Sequence, residues 1–170
     1  MVSSILLSVF FNSSSSCSNS SSLKSSDIDS ENITELVAFA KKESVDISIV
    51  GPEAPLVLGI VDMFIEEGLA IFGPTKSASQ LEGSKVFCKN FLERNNIPTA
   101  DYRAFTDAKL AIKYVEEKGT PIVIKADGLA AGKGVIIANS LEEAIYAIND
   151  MLEDYRFGEA GYSLVIEEFL

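Results

Sequence analysis

The chain has 170 residues, 47% of them hydrophobic, enough to bury the core of one domain or of two small ones. Its net charge is −11, and residues 27 to 170 carry 13 basic against 25 acidic side chains, a balance that repels nucleic-acid backbones and anionic membranes but leaves room for a local positive pocket. There is no histidine, and the two cysteines, Cys17 and Cys88, lack C-x-x-C spacing, which excludes His-based catalysis and a structural zinc site and points to a reducing compartment.

Residues 1–26 are read as low-complexity and disordered. Ten of the fifteen residues from Asn12 to Ser26 are serine, a composition that cannot support a packed core. Ile5 to Phe11 is apolar but far short of a membrane span, and no Lys or Arg precedes it as a secretory signal requires. A Ser-rich, acid-free start fits an organelle transit peptide in part, although such peptides are also Arg-rich and this one has only Lys24.

Order is expected from Asp27. Ile33, Leu36, Val37 and Ala40 recur at helical spacing, with Glu31 and Glu35 early and Lys41 and Lys42 late, as the helix dipole favours. Asp46 to Val50 reads as a buried strand, Pro55 to Glu67 as one helix with Leu56, Ile60, Val61, Phe64 and Ile65 on its apolar stripe, and Ala70 to Phe72 as a second strand. This rhythm predicts a parallel sheet with helical crossovers. Glu53 follows Gly51-Pro52 beyond a strand end, where such sheets gather ligands, although spacing alone favours a solvated or capping acid.

Thr75 and Ser84 read as N-caps of two short helices separated at Gly83. The second, Lys85 to Asn95, is expected to bury Val86, Phe87, Phe91 and Leu92. Lys85 stands in its first turn, where a cation opposes the dipole by about a few tenths of a kcal/mol, a weak pointer to another purpose. Ala100 to Phe105 reads as a strand. Asp107 caps a helix whose Ala108, Ala111, Ile112 and Val115 line one face until Gly119 stops it. Ser140 and Glu143 form a capping box ahead of the stripe Leu141, Ala144, Ile145, Ile148, Met151 and Leu152. Tyr155 to Tyr162 is a loop, and Ser163 to Leu170 is a buried-looking strand that implies further sequence, or else an edge strand.

Thr120 to Ala138 carries the clearest chemical signal. Pro121 to Ala126 reads as a strand with Ile122 and Ile124 on one face and Val123 and Lys125 on the other, and Val135 to Ala138 reads as the returning strand. Between them, Gly128, Gly132, Lys133 and Gly134 suggest a phosphate-binding loop. The Walker pattern fails: three residues instead of four separate the glycines, Gly134 replaces the hydroxyl, and a strand follows in place of a helix. An anion cradle of backbone N–H groups with a mobile lysine and an ordinary glycine hairpin both remain open on this loop alone.

Taken together, GPEAPL (51–56), FGPT (72–75), QLEGSK (80–85), IPT (97–99), PIVIKADGLAAGKG (121–134), FGEAG (157–161) and VIEEFL (165–170) resemble, in this order, the phosphoribosylamine-glycine ligase family, also called glycinamide ribonucleotide synthetase, of the ATP-grasp superfamily. The resemblance covers about residues 27 to 170. It implies an α/β fold class, with a partial parallel-sheet N-terminal domain over 27–98 and the first part of an ATP-grasp domain over 99–170. The implied activity is a carbon-nitrogen ligase of purine biosynthesis that joins glycine to 5-phosphoribosylamine through glycyl phosphate, releasing ADP and phosphate.

By position in the family motifs, Lys85 and Lys125 contact ATP phosphates, and Gly132, Lys133 and Gly134 form the flap over them. Glu167, Glu168, Phe169 and Leu170 hold adenine, and Glu53 lies at the phosphoribosylamine end. Such chemistry needs cations around phosphates rather than a nucleophilic Ser or Cys. ATP is the implied cofactor, with Mg or Mn; the implied partners are small molecules, without nucleic acid or membrane, in the cytoplasm.

The departures are the family's opening G-x-G-G-R-E-H-A turn, which residues 1–26 lack, and the metal ligands and further domains that follow EEFL. The chain alone is therefore expected to be inactive and truncated at both ends. The alternatives are a non-catalytic ATP-binding fragment or pseudoenzyme, and a different ATP-grasp enzyme such as a biotin-dependent carboxylase, against which GPEAPL with KADGLAAGKG argues.

Overall fold

A computed structural model of the chain describes residues 8–10, 28–129, 134–153 and 162–170. Contacts divide it into two compact units, residues 1–79 and 80–170. The sequence reading changes domain at Pro98; the division at Ser79 instead groups the helix beginning at Lys85 with the second sheet.

In the first unit, α1 (Ile33–Lys42) starts where the side chain of Asn32 accepts the Glu35 N–H, and it buries the expected Ile33, Leu36, Val37 and Ala40. Strand β2 (Ile47–Ile49) pairs in parallel with β3 (Ile71–Phe72), Ser48 opposite Ile71, as the alternation of helices and strands predicts. Strand β1 (Ser8–Phe10) pairs antiparallel with β2, which corrects the reading of the whole of 1–26 as disordered. The serine tract itself lies outside the described residues.

The helix expected over Pro55 to Glu67 is two helices, α2 (Glu53–Leu58) and α3 (Ile60–Glu66). Between them Gly59 has φ +98°, the left-handed region that interrupts helical hydrogen bonding and favours glycine. The break re-aims the stripe: Ile60, Val61 and Phe64 are buried against α1, while Ile65 is 60% exposed. Full burial of a side chain such as Phe64 contributes about 1.5–3 kcal/mol.

A further helix, α4 (Lys76–Gly83), runs across the division between the units and is followed in the second by α5 (Lys85–Arg94), β4 (Tyr102–Phe105), α6 (Ala108–Lys118), β5 (Ile122–Ala126), β6 (Val135–Ala138), α7 (Leu141–Leu152) and β7 (Leu164–Glu168). Predicted caps recur: Ser84 accepts the Phe87 N–H, Asp107 the Leu110 N–H and Ser140 the Glu143 N–H. The returning carboxylate of Glu143 bonds Asn139 N rather than the cap residue itself.

The four strands are ordered β4-β7-β5-β6, and every pairing is antiparallel. The segment read from Ser163 onward is thus an inner strand, hydrogen-bonded on both flanks, not an edge strand. Ile122, Ile124, Ala126, Leu164 and Ile166 pack with Ala111, Val115, Ala147, Ile148 and Met151 in one core. Strand alternation sends Val123, Lys125, Val165 and Glu167 to the opposite face.

On α5, Val86, Phe87, Phe91 and Leu92 are only half-buried, a correction to the expected stripe, and the buried residue of the helix is Lys89. Among the described residues no helix is long and apolar enough to cross a membrane.

Candidate functional site

Lys125 is the fourth residue of β5 and pairs directly with Val165, so Glu167, two residues on along β7, is its diagonal neighbour on the same face. The two side chains meet: Lys125 Nζ lies 2.9 Å from Glu167 Oε1. From α5, Lys89 Nζ lies 3.0 Å from the other oxygen, Glu167 Oε2. Glu167 is 6% exposed and Lys89 8%. A buried carboxylate this far from water is tolerated because both of its oxygens are matched by cations.

Lys85, at the start of α5, faces the same hollow. Its ammonium donates to Gly128 O at 2.8 Å, just past the end of β5. That carbonyl is aimed by a left-handed φ of +81° at Gly128, a conformation for which glycine is the undemanding choice. Burial pushes the Lys85 ammonium below the ordinary lysine value; the Asp127 carboxylate opposes the shift, and the neighbouring Lys125 charge adds to it. A second lysine near an already desolvated one makes a site that gains from an incoming anion.

Asp127 ties these parts together. Its Oδ1 accepts the Val86 N–H at 3.2 Å and the Gly128 N–H at 3.0 Å, and its Oδ2 accepts the hydroxyls of Ser84 at 3.2 Å and Ser163 at 3.1 Å. One side chain therefore joins the N-terminus of α5, the start of the glycine loop and the approach to β7. The hollow between α5 and the lysine-bearing face of the sheet has a volume of about 340 Å³, with Lys85, Cys88, Lys89, Lys125, Val135 and Glu167 among its walls.

The other expected residues distribute as follows. Gly134 is buried, and its carbonyl accepts the Ala126 N–H at 2.8 Å, closing the hairpin; Gly132 and Lys133 lie outside the described residues. Glu168 is exposed and bonds Asp101 N at 3.0 Å, a strand-end contact directed away from the lysines' face. Phe169 and Leu170 are 49% and 89% exposed. Glu53 is the exposed first residue of α2, in the other unit.

Two members of the site went unread in the sequence, Lys89 and Asp127. Signals for both were present: Lys89 follows Lys85 by four residues and shares its helix face, and Asp127 follows Lys125 by two. Among the described residues no group of three or more His, Cys, Asp or Glu is placed to hold a metal ion.

Comparison with known proteins places this geometry. Residues 83–170 match an ATP-grasp (A) domain, which makes the antiparallel sheet with its lysine pocket part of an ATP-grasp protein. A solved biotin carboxylase domain of the Hydrogenobacter thermophilus 2-oxoglutarate carboxylase shares that fold, with a TM-score of 0.67 at 23% identity, covering 82% of this chain and 31% of that one. The matching domain is that of phosphoribosylglycinamide synthetase, whose N domain matches residues 4–82, and the chain belongs to that family.

The match starts earlier than the motifs alone indicated. Phosphoribosylamine-glycine ligase of Yersinia pestis is 60% identical over 148 residues, 87% of this chain and 35% of the relative. The solved enzyme of that name from Thermotoga maritima is 33% identical with a TM-score of 0.60, covering 72% of this chain and 29% of that one. The chain thus spans about a third of the length of these relatives.

Proposed function

We propose that this chain is the N-terminal and early ATP-grasp portion of a ligase that joins glycine to 5-phosphoribosylamine, and that its lysine hollow receives the phosphates of ATP. The observation that carries the reading is the convergence of Lys85 and Lys125 on one hollow, with Glu167 fixing one of them and Gly128 the other. Two ammonium groups at fixed positions complement a polyphosphate without any nucleophilic side chain.

In the reaction, a glycine carboxylate oxygen attacks the γ-phosphorus, the bond to the β–γ bridging oxygen breaks, and ADP leaves. The amine of phosphoribosylamine then attacks the carbonyl of glycyl phosphate, expels inorganic phosphate and loses a proton. Lys85 and Lys125 hold the chain of phosphates and offset the charge that shifts to ADP. Gly132, Lys133 and Gly134 act as the flap, the segment from Glu167 to Leu170 receives adenine, with Phe169 and Leu170 lining its pocket, and Glu53 lies toward phosphoribosylamine. Its carboxylate is engaged by two lysines and its backbone lies in the ladder between Tyr102 and Val123, so Glu167 contributes to the ATP site by holding Lys125.

Mg or Mn accompanies ATP in this reading, and among the described residues no group of three or more His, Cys, Asp or Glu fits it. The acidic net charge supports small-molecule partners rather than nucleic acid or membrane, and the cytoplasm is the proposed compartment. Calorimetric titration of the 170-residue chain with MgATP tests the assignment. Binding that falls about tenfold or more in Lys85→Met and in Lys125→Met is expected, without glycine-dependent ADP release. No binding by the parent chain at millimolar MgATP, or equal binding by the variants, overturns it.

A further inference from the structure

The ligase reading gives Lys89 no task, yet Lys89 is the most deeply buried lysine of the hollow, its side chain 10% exposed against 27% for Lys125. A buried ammonium is stable only when its donors are used. Lys89 Nζ uses all three: it donates to Thr99 Oγ1 at 2.7 Å and Ala100 O at 3.3 Å, and it pairs with Glu167 Oε2 at 3.0 Å. One carboxylate is thereby shared between two cations, and the group of three carries a net charge of +1. Were Lys125 the sole counter-ion, the group would be neutral and Lys125 wholly committed to Glu167.

We infer that Lys89 is a positioning residue of the anion pocket: it neutralises Glu167 from the buried side, so that Lys125 is held in place by the acid yet keeps its positive charge for an incoming phosphate. The inference rests on Lys125 as a phosphate contact and adds the residue that makes it one. Glu167 supplies geometry and Lys89 removes the electrostatic penalty of that geometry.

The test uses the 170-residue chain with Lys89→Gln, Glu167→Gln and the two combined. Glutamine at 89 keeps a donor for Thr99 and lacks the charge. MgATP affinity is expected to fall about tenfold in Lys89→Gln, and the combined variant is expected to bind within about twofold of Glu167→Gln alone, because the acid that Lys89 served is gone. A residue that merely filled space would cost about the same tenfold again when Lys89→Gln is added to Glu167→Gln.

A second readout needs no nucleotide. Pyridoxal 5′-phosphate with borohydride labels accessible lysines, and mass spectrometry reads the rate at Lys125; about a fivefold fall in Lys89→Gln, with no further fall when the change is added to Glu167→Gln, is expected. If Lys89→Gln does not fold by circular dichroism, Glu167→Gln and the combined variant are compared instead: affinities and labelling rates within about twofold support the inference, and a further loss overturns it. A foldable Lys89→Gln with unchanged affinity and labelling, or an equal further loss when it is added to Glu167→Gln, also overturns it. Should the parent bind no MgATP, the ligase reading falls while the labelling rates still decide the role of Lys89.

Discussion

Asp127 accepts the backbone N–H of Val86 at 3.2 Å, so the acid two residues after the strand lysine caps the helix that carries Lys85. The same carboxylate takes the hydroxyls of Ser84 and Ser163, and a negative charge at a helix N-terminus is favourable in its own right. Replacing Asp127 by Ala removes all of these bonds and is expected to lower unfolding stability by about 2 kcal/mol, whereas Ser84→Ala costs about 1 kcal/mol. Urea denaturation followed by circular dichroism measures both. A loss for Asp127→Ala no larger than that for Ser84→Ala would show that the junction is not organised by this carboxylate.

The buried ion pairs behave differently from those on the surface. Glu167→Ala leaves Lys89 and Lys125 facing each other without their acid and is expected to destabilise the chain by about 3 kcal/mol. Lys113 and Glu117, 3.9 Å apart on α6, have side chains 72% and 64% exposed, and Lys113→Ala is expected to change stability by less than about 0.5 kcal/mol. The same urea experiment compares them, and a Glu167→Ala effect as small as that of Lys113→Ala would count against a tightly held pair.

Lys85 is lowered from the ordinary value of 10.5, chiefly by burial, with Asp127 opposing. Below its folded value both folded and unfolded chains carry the proton and no pH slope arises. Between the folded value and 10.5 the unfolded chain binds a proton that the folded chain has lost, so stability rises with pH in that window. Tyr102 has the opposite sign: burial, then the hydrogen bond and charge of Glu93, push its phenol above 10.0, so its contribution is present below that value and lost as pH rises through the folded one. The two slopes oppose each other in a global measurement, and lysine side-chain NMR separates them. Lys85 is expected to lose its proton below 10.5, lower still in Asp127→Asn and higher with bound MgATP. A Lys85 titration unmoved by Asp127→Asn would contradict the arrangement.

Gly59→Ala tests the break between α2 and α3. A methyl there would sit 3.2 Å from Lys76 Cδ and, more seriously, would hold an L-residue at φ +98°. The expected loss is about 1–2 kcal/mol. Trimming the neighbour in Lys76→Ala is expected to recover little of it, because the backbone strain remains. A full recovery in the double variant would place the effect in the side-chain contact.

The regular elements were legible because their ends are marked chemically. Ser84, Asp107 and Ser140 cap the helices at the residues that their spacing nominates, and the two-residue alternation of Ile122 to Ala126 gives the face on which Lys125 stands. Gly59 was passed over because a single glycine in an apolar helical stripe does not declare its φ. The stripe of α5 misled for another reason. Its four large apolar residues are half-buried, and the deepest position goes to a lysine whose counter-ion lies 78 positions further along the chain. Periodicity reports which residues share a face, and it is silent on a charge that a distant acid will neutralise. The role of Asp127 was hidden likewise: in sequence it is a turn residue beside glycine, and only the fold brings Ser84, Val86 and Ser163 to it.

The insertion of β7 between β4 and β5 has a temporal consequence. Asp101 and Glu168 close that ladder across 67 residues of chain, so the sheet forms by long-range loop closure rather than by zipping of neighbours. As the polypeptide emerges from a ribosome, Lys85, Lys89 and Lys125 are all made before the acid two of them share. The hollow is therefore created in the same cooperative event that completes the sheet, and a nascent chain lacking residues 164–168 would present two cationic side chains without their acid and two unpaired strand flanks, a species for a chaperone rather than a binding protein.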